Sequence, residues 1–471
     1  MASIALVRGE GAPGNAPGDG PAGPSPAWRA GRWQSRTRYA AVALTVVLVL
    51  GAIWRKSPVE ALGAGATAGG VGATLRLPTA YTLLSPFCEL YDGLTLLTLK
   101  QHAALLAWLI AVFAMLRVSW HVDGWKRSVR RRGVHVDGML LFAALASFVL
   151  VYVIGALVPR PMAGLVLDDP DELAVDVHSH TAASHDGRPG FDAAANRRWH
   201  AGAGFAAAYV TDHRHFEGAE AGERGNPRRA GDGTVLLSGI ESAGPAGSRL
   251  TILGARASTE LDHNGRADMV RLASDTSLVV VLTTPASLAR VPATMPLDAV
   301  ESADGAPLGL LFTRRLAPEI DRFATTRSVA RVAGSNNHGW GRTASAWTVL
   351  RIPRWRELSP SSLDSAIRMT IRHDHGAVRV VTRGSTPLAR SNEALIATPI
   401  LLLWSITTRL STAERVSWLA WIWSIVALLA LAAALRSRRA ERAWPPNGGA
   451  SSAGRARRSP ARARRAALRG R

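Results

Sequence analysis

The chain has 471 residues, 47% of them hydrophobic, and a formal net charge of +21. That hydrophobic share is high for a purely soluble protein, and the single cysteine, Cys88, excludes an internal disulfide and any cysteine-rich zinc site, so a metal would rest on His, Asp and Glu. Much of the charge sits in the flanks, with twelve arginines against one glutamate from Arg436 to the end, which argues against a nucleic-acid-binding face on a folded domain.

Residues 1–38 are rich in Gly, Pro and Ala, end in Arg29, Arg32, Arg36 and Arg38, and read as a disordered basic arm. The membrane region is expected over 39–158, with about three helices. Tyr39–Trp54 is uncharged, lies between interfacial anchors, and has no A-x-A-like cleavage site close behind it, so it predicts an uncleaved anchor. Leu94–Val118, most apolar between Ala103 and Leu116, predicts a second span, and the uncharged Gly138–Val158 a third. Lys100, Gln101 and His102 open the second span and read as a helix end with a snorkelling lysine. Between these spans Arg117, Lys126, Arg127, Arg130, Arg131 and Arg132 outweigh Asp123 and Asp137, which places that loop in the cytoplasm. The domain over 159–392 then emerges on the other side, extracytoplasmic in a multi-pass bacterial-type inner (plasma) membrane protein.

Within that domain, Leu173–His178 alternates, with Leu173, Val175 and Val177 on one face and Asp176 and His178 on the other, continued by His180. Runs of strand character end in the same kind of residue. Phe205–Val210 ends in Thr211-Asp212-His213, Val235–Ile240 in Glu241, Leu297–Val300 in Glu301, and Val329–Gly334 in Ser335-Asn336-Asn337-His338. Groups able to hold metal thus recur past the C-terminal ends of strands, where barrel enzymes assemble their sites.

Beyond the domain, 393–436 predicts one or two C-terminal helices, from Ala394–Thr408, which contains Pro399, and Val416–Leu435. Two crossings would carry the arginine tail outside, against the positive-inside rule, so the first of the pair either lies flat, re-enters, or crosses in spite of it. Residues 437–471 read as a disordered arginine-rich tail that meets the lipid bilayer or fixes topology; aromatics nearly vanish past Trp444, and no nucleic-acid partner is expected.

The stretch Asp176-Val-His-Ser-His-Thr-Ala-Ala-Ser-His-Asp-Gly187, followed by Thr211-Asp-His213, Gly239-Ile-Glu241 and Gly334-Ser-Asn-Asn-His338, resembles the ordered motifs of the PHP (polymerase and histidinol phosphatase) family. The resemblance implies an α/β fold, a distorted seven-stranded (β/α)7 TIM-like barrel flanked here by transmembrane helices. It also implies divalent ions, Zn, Mn or Fe, and phosphoester hydrolysis. Carried over residue by residue, it assigns His178, His180, His213, Glu241 and His338 as metal ligands, with His185 or Asp186 after the first motif and Asn336 where the family has an acid. Two further family histidines fall on Thr251 and Thr284, so one of the family's three ions is expected to be lost and one or two retained. On that assignment, one ion takes His178, His180, Glu241 and Asn336, and the other takes His185 or Asp186 with His213 and His338.

Asp212 is a candidate to orient His213 or touch metal, and Arg214 and Arg342 are candidate phosphate clamps. His200, His215, His373 and His375 read as packed or exposed histidines. The function expected is a metal-dependent hydrolase acting on a small-molecule or lipid phosphoester. The alternative is a catalytically degraded domain that binds a ligand and serves as sensor or scaffold.

Overall fold

The elements follow one another in a computed structural model that describes residues 26–62, 71–124, 132–256, 261, 266–283, 285–306 and 309–443. First come α1 (Pro26–Ile53), β1 (Val59–Leu62), β2 (Ala73–Arg76), α2 (Thr79–Leu83), α3 (Ser85–Thr95), α4 (Leu99–Gly124) and α5 (Arg132–Leu157). Next are β3 (Gly164–Leu167), β4 (Glu172–Ser179), α6 (Ala193–Ala203), β5 (Ala207–Val210), α7 (Glu217–Arg224), β6 (Val235–Ala243), β7 (Arg249–Leu253), α8 (Met269–Ser274), β8 (Val279–Leu282) and β9 (Ala299–Asp304). Then follow α9 (Gly309–Arg315), α10 (Ala317–Arg327), β10 (Ala330–Gly334), β11 (Ala346–Arg351), α11 (Pro360–His373), β12 (Val378–Arg383), α12 (Asn392–Ile396), α13 (Thr398–Arg409) and α14 (Thr412–Ala443). The described residues up to Leu44 and from Ile422 form one compact unit, and Thr45–Trp421 forms the other.

The α/β expectation holds, but the sheet is not an all-parallel seven-stranded barrel. Ten strands run in the order β1-β12-β11-β4-β5-β6-β7-β8-β9-β10, curled as a half-barrel, with β2 and β3 paired separately. β4, β5 and β6 are parallel, as are β8, β9 and β10, while β6-β7-β8 and β4-β11-β12-β1 are antiparallel. The reason is connection length: the turn at Pro245–Gly247 between β6 and β7 leaves no room for the crossover that a parallel neighbour needs.

Alternation places Leu173, Val175 and Val177 of β4 in the interior, with Tyr209, Leu237, Val281 and Val332. α11 closes this core with Leu363, Ile367 and Ile371, one turn apart on one face. Its start is set by Ser359, whose hydroxyl accepts from the Ser362 amide, and by Pro360 in the first turn. Each fully buried aliphatic of this kind contributes about 1.5–3 kcal/mol, so this core holds the strand ends in place.

Among the described residues three helices are long and apolar enough to cross a membrane, over Leu99–Val118, Val136–Leu157 and Thr412–Arg436; Thr37–Ile53 is a shorter apolar helix. Their apolar side chains face outward, Met139 at 71% and Phe142 at 73% exposed, as lipid-facing positions are. Several boundaries differ from the sequence expectation. The arm expected to be disordered over 1–38 is helical from Pro26, because Ala, Arg and Gln carry the helix back from the apolar run; its residues before Pro26 lie outside the described residues. Leu94 and Thr95 end α3 and do not belong to the span that starts at Leu99. Ala394–Thr408 is broken at Ala397 into α12 and α13, and the 12 residues of α13 reach about 18 Å, short of a bilayer. Gln101 is buried and donates to the Pro387 carbonyl, and His102 lies 2.7 Å from the Tyr152 hydroxyl, so both are tied to partners and only Lys100 is exposed. The arginine cluster over 125–131 and the tail from 444 lie outside the described residues.

Candidate metal centre

The ligand-bearing segments meet because β4, β5 and β6 are parallel neighbours whose C-terminal ends lie side by side. The β4·β5 ladder shifts register between Asp176 and Ser179, and His213 continues the pairing as an isolated bridge to Glu241. His178 Nε2 then lies 3.2 Å, His180 Nε2 3.3 Å and His213 Nε2 3.4 Å from one atom, Glu241 Oε2. Asp186 extends the group outward, with Oδ2 3.5 Å from His213 Nε2 and Oδ1 3.2 Å from His338 Nδ1.

Two donor groups could hold an ion, His178-His180-Glu241 and His180-Asp186-His213. The first gathers three of the residues expected for one ion, without Asn336, and the second joins Asp186 and His213 of the other expected set to His180. His180 is shared, and the carboxylate of Asp186 stands in the position left open between Asp186 and His185. The exposed His185 ring only lies beside His213, 5.0 Å between centroids. His338 stacks on His180 at 4.1 Å and turns Nε2 to Asn336 Oδ1 at 3.0 Å. Asn336, expected as a ligand through its amide oxygen, turns that oxygen to His338; its backbone N–H donates to the His178 carbonyl, its side-chain amide donates to Asp304 Oδ2, and its φ of 44° is a conformation that asparagine adopts readily.

Asp212 does not orient His213. Its two carboxylate oxygens accept from the backbone N–H and the hydroxyl of Thr181, at 2.6 Å each. Gly218 makes room for this pair, since a Cβ there would stand 2.1 Å from Asp212 Oδ2. Arg214 is exposed beside His213 with φ 60°. Arg342 is half-buried, and its Nε and Nη2 have no hydrogen-bond partner among the described residues. His200 is a packed histidine, 2.7 Å from Asp176 Oδ2, whereas His215, His373 and His375 are exposed. Of the two threonines at family histidine positions, Thr251 is buried opposite Glu241 with a hydroxyl that lacks a partner among the described residues, and Thr284 lies outside the described residues. Its neighbour Thr283 is buried with an unpartnered hydroxyl as well.

The environment sets the protonation states. Burial pushes His180 down to about 3, and burial also lowers His213 and His338, so these imidazoles are neutral and present lone pairs. Burial alone would raise Glu241, but the His178 charge and hydrogen bonds from His178 and His180 outweigh it and keep the carboxylate ionised. His178 is raised because Glu301 and Glu241 together outweigh its desolvation. Glu301 itself is pushed up to about 8 by burial. His180 Nδ1 lacks a hydrogen-bond partner among the described residues and Nε2 faces Glu241 Oε2 at 3.3 Å, where a cation could sit between them. The neutral imidazoles of His180 and His213, with the ionised carboxylates of Glu241 and Asp186 and no thiolate, fit Zn, Mn or Fe.

Sequence reasoning passed over Glu301 and Asp304. Glu301 had been noted only as one more strand end, and the phase that singled out Glu241 was the available signal. A cavity of about 100 Å³ lies elsewhere, lined by Arg55, Glu89, Arg383, Arg409 and Glu414. Arg383 and Arg409, which line it, are engaged by Glu89 and Glu60.

No family profile and no curated protein matches the chain. Among solved structures it is similar to PsfC of Pseudomonas syringae, with 15% identity and a TM-score of 0.32 over 50% of this chain and 96% of that one. It is also similar to a two-domain protein of Bacteroides vulgatus containing a domain assigned by inference as a PHP-like metal-dependent phosphoesterase, with 16% identity and a TM-score of 0.27 over 41% of this chain and 63% of that one. A third is a Bifidobacterium adolescentis protein, likewise assigned by inference as a metal-dependent phosphoesterase, with 13% identity and a TM-score of 0.28 over 41% and 96% of the two chains. Likeness at this level leaves function to be argued from the site.

Proposed function

We propose that the chain is a membrane-anchored, metal-dependent phosphoesterase of the PHP type. The observation that carries this reading is the convergence of three imidazole Nε2 atoms, from His178, His180 and His213, within 3.4 Å of Glu241 Oε2. One or two ions would be held by these four residues with Asp186, and His338 stacks at the rim. A divalent ion bound there supplies Lewis acidity towards a phosphoryl oxygen and makes water a competent nucleophile near neutral pH. The chain's own residues do the rest. Glu241 keeps its negative charge, the neutral imidazoles of His180 and His213 offer lone pairs, and Asp186 stands half-exposed at the mouth. Arg214 and Arg342, next in sequence to His213 and four residues after His338, are suited to a phosphate because a guanidinium fork matches its oxygens. By the positive-inside rule the domain faces away from the cytoplasm, so a reporter fused after Gly187 is expected outside and one after Val129 inside.

The full chain in detergent is expected to hydrolyse bis(p-nitrophenyl) phosphate, to stop on chelation, and to recover with Mn2+ or Zn2+. Bound metal without hydrolysis of any phosphoester would turn the reading to the sensor or scaffold alternative, which Asn336 and Thr251 favour by weakening the family's ligand set.

A further inference from the structure

The ring of His178 is held from both sides. Nε2 faces Glu241 at 3.2 Å, and Nδ1 faces Glu301 Oε2 at 3.4 Å. Glu301 comes from β9, three strands along the same sheet from the β6 that carries Glu241, and it is fully buried. A buried carboxylate needs a reason, because desolvation disfavours its charge. Its second oxygen, Oε1, has no hydrogen-bond partner among the described residues, so His178 is the contact that accounts for its position. The approach is built into the backbone. Gly334 ends β10 between the two groups, and a Cβ there would stand 2.3 Å from Glu301 Oε1 and 2.4 Å from the His178 Cβ.

We infer that Glu301 is a positioning residue for the metal centre: it accepts the Nδ1 proton of His178, which fixes the tautomer and the ring orientation that leave Nε2 free for the metal. This rests on the metal-centre reading above. A carboxylate behind a ligating imidazole raises its basicity and locks its rotation, and removing such a partner typically costs about 10- to 100-fold in metal affinity. Asp304, hydrogen-bonded by the Asn336 side chain, supports the same wall but faces Asn336 and not the imidazole.

The test is Zn2+ affinity of the full chain in detergent, measured by chelator competition for the unaltered protein, Glu301→Gln, Glu301→Ala and Gly334→Ala. The expected order is the unaltered protein tightest, Glu301→Gln weaker because an amide oxygen accepts the proton without the charge, and Glu301→Ala weakest by about 10- to 100-fold. Gly334→Ala should fall with the last by pushing Glu301 away. Repeating Glu301→Gln in a His178→Ala background separates positioning from general damage, since the effect should vanish there. Should Glu301→Ala fail to fold, Glu301→Gln with this cycle still decides. Equal affinity in the unaltered and Glu301→Gln proteins, or an undiminished effect without His178, would overturn the inference. An unaltered protein that binds no Zn2+ would instead overturn the metal-centre reading itself.

Discussion

Two clusters of buried charge lie within the same compact unit, and they are built to different ends. In one, Asp92 of α3 accepts from Arg160 at 3.0 Å and pairs with Arg383 at 2.8 Å, Arg383 also meets Glu89 at 2.8 Å, and Thr343 and the Tyr81 hydroxyl complete the set. Every charge there has an opposite charge beside it, although Arg160 Nε and Arg383 Nη1 make no hydrogen bond among the described residues. It ties α3 and the end of α5 to β12 and to the loop after His338. In the other, three imidazoles crowd one carboxylate, His180 Nδ1 goes unpartnered, and no arginine or lysine forms an ion pair with that carboxylate among the described residues. Charges matched by opposite charges mark a structural cluster, and lone pairs gathered about one carboxylate mark a binding one.

Mutation should pull the two apart. Glu241→Ala or His213→Ala is expected to abolish turnover and remove at least one ion, checked by hydrolysis assay and elemental analysis, while the metal-free protein keeps its thermal stability. Asp92→Ala should do the reverse, lowering stability by about 3–5 kcal/mol because it leaves buried Arg160 without a carboxylate and Arg383 with Glu89 alone, with metal affinity unchanged. Thermal unfolding alongside chelator competition reads both. A loss of metal affinity in Asp92→Ala would merge the two clusters into one functional unit.

A smaller effect follows from protonation. Glu301 is raised from its ordinary 4.5 to about 8, and His178 is raised as well. A raised group lends stability that is complete below its unfolded value and is lost as pH climbs through its folded value. His180, His213 and His338 are lowered and act with the opposite sign below their ordinary 6.5, so the window is above it: metal-free protein should become less stable between about pH 6.5 and 8, by up to about 1.4 kcal/mol per pH unit for each net proton. Glu241, which is depressed, acts with the opposite sign, but only below its ordinary 4.5 and so outside this window. Melting curves across that range should flatten in Glu301→Gln, whereas a stability that rises with pH would contradict the assignment.

Smallest of all is the expected effect of Asn336→Asp. It adds a negative charge near the centre but exchanges the amide that donates to Asp304 for a second carboxylate. Metal-loaded protein should change little, and metal-free protein should lose stability through repulsion between positions 336 and 304. Competition and melting measurements together check this.

Much of this contrast was legible in the sequence on the histidine side and little of it on the other. Period-two alternation gave the interior face of β4, and the run from His178 to Asp186, with His213, Glu241 and His338, located the site because ligands at parallel strand ends are close in space whatever their separation in the chain. The choice between His185 and Asp186 depended on loop conformation, which spacing does not encode. Asn336 carried a carbonyl oxygen on paper, yet its left-handed backbone aims the amide at Asp304. The partnership of Asp92, Arg160 and Arg383 joins residues up to 291 positions apart, as Asp92 is numbered 92 and Arg383 is numbered 383. No local pattern announces such a pairing. Nor does one announce β1, a four-residue strand preceding α4 and α5 that pairs with β12, near the other end of the domain in sequence.

The central claim, that the histidine cluster is a metal centre, is tested most directly by counting metal per chain in the purified full-length protein by elemental analysis, with Glu241→Ala beside it. The account predicts one or two divalent ions per chain and fewer in the Glu241→Ala protein. A chain that carries none after incubation with Zn2+ or Mn2+, or a Glu241→Ala protein that carries the unaltered number, would contradict it.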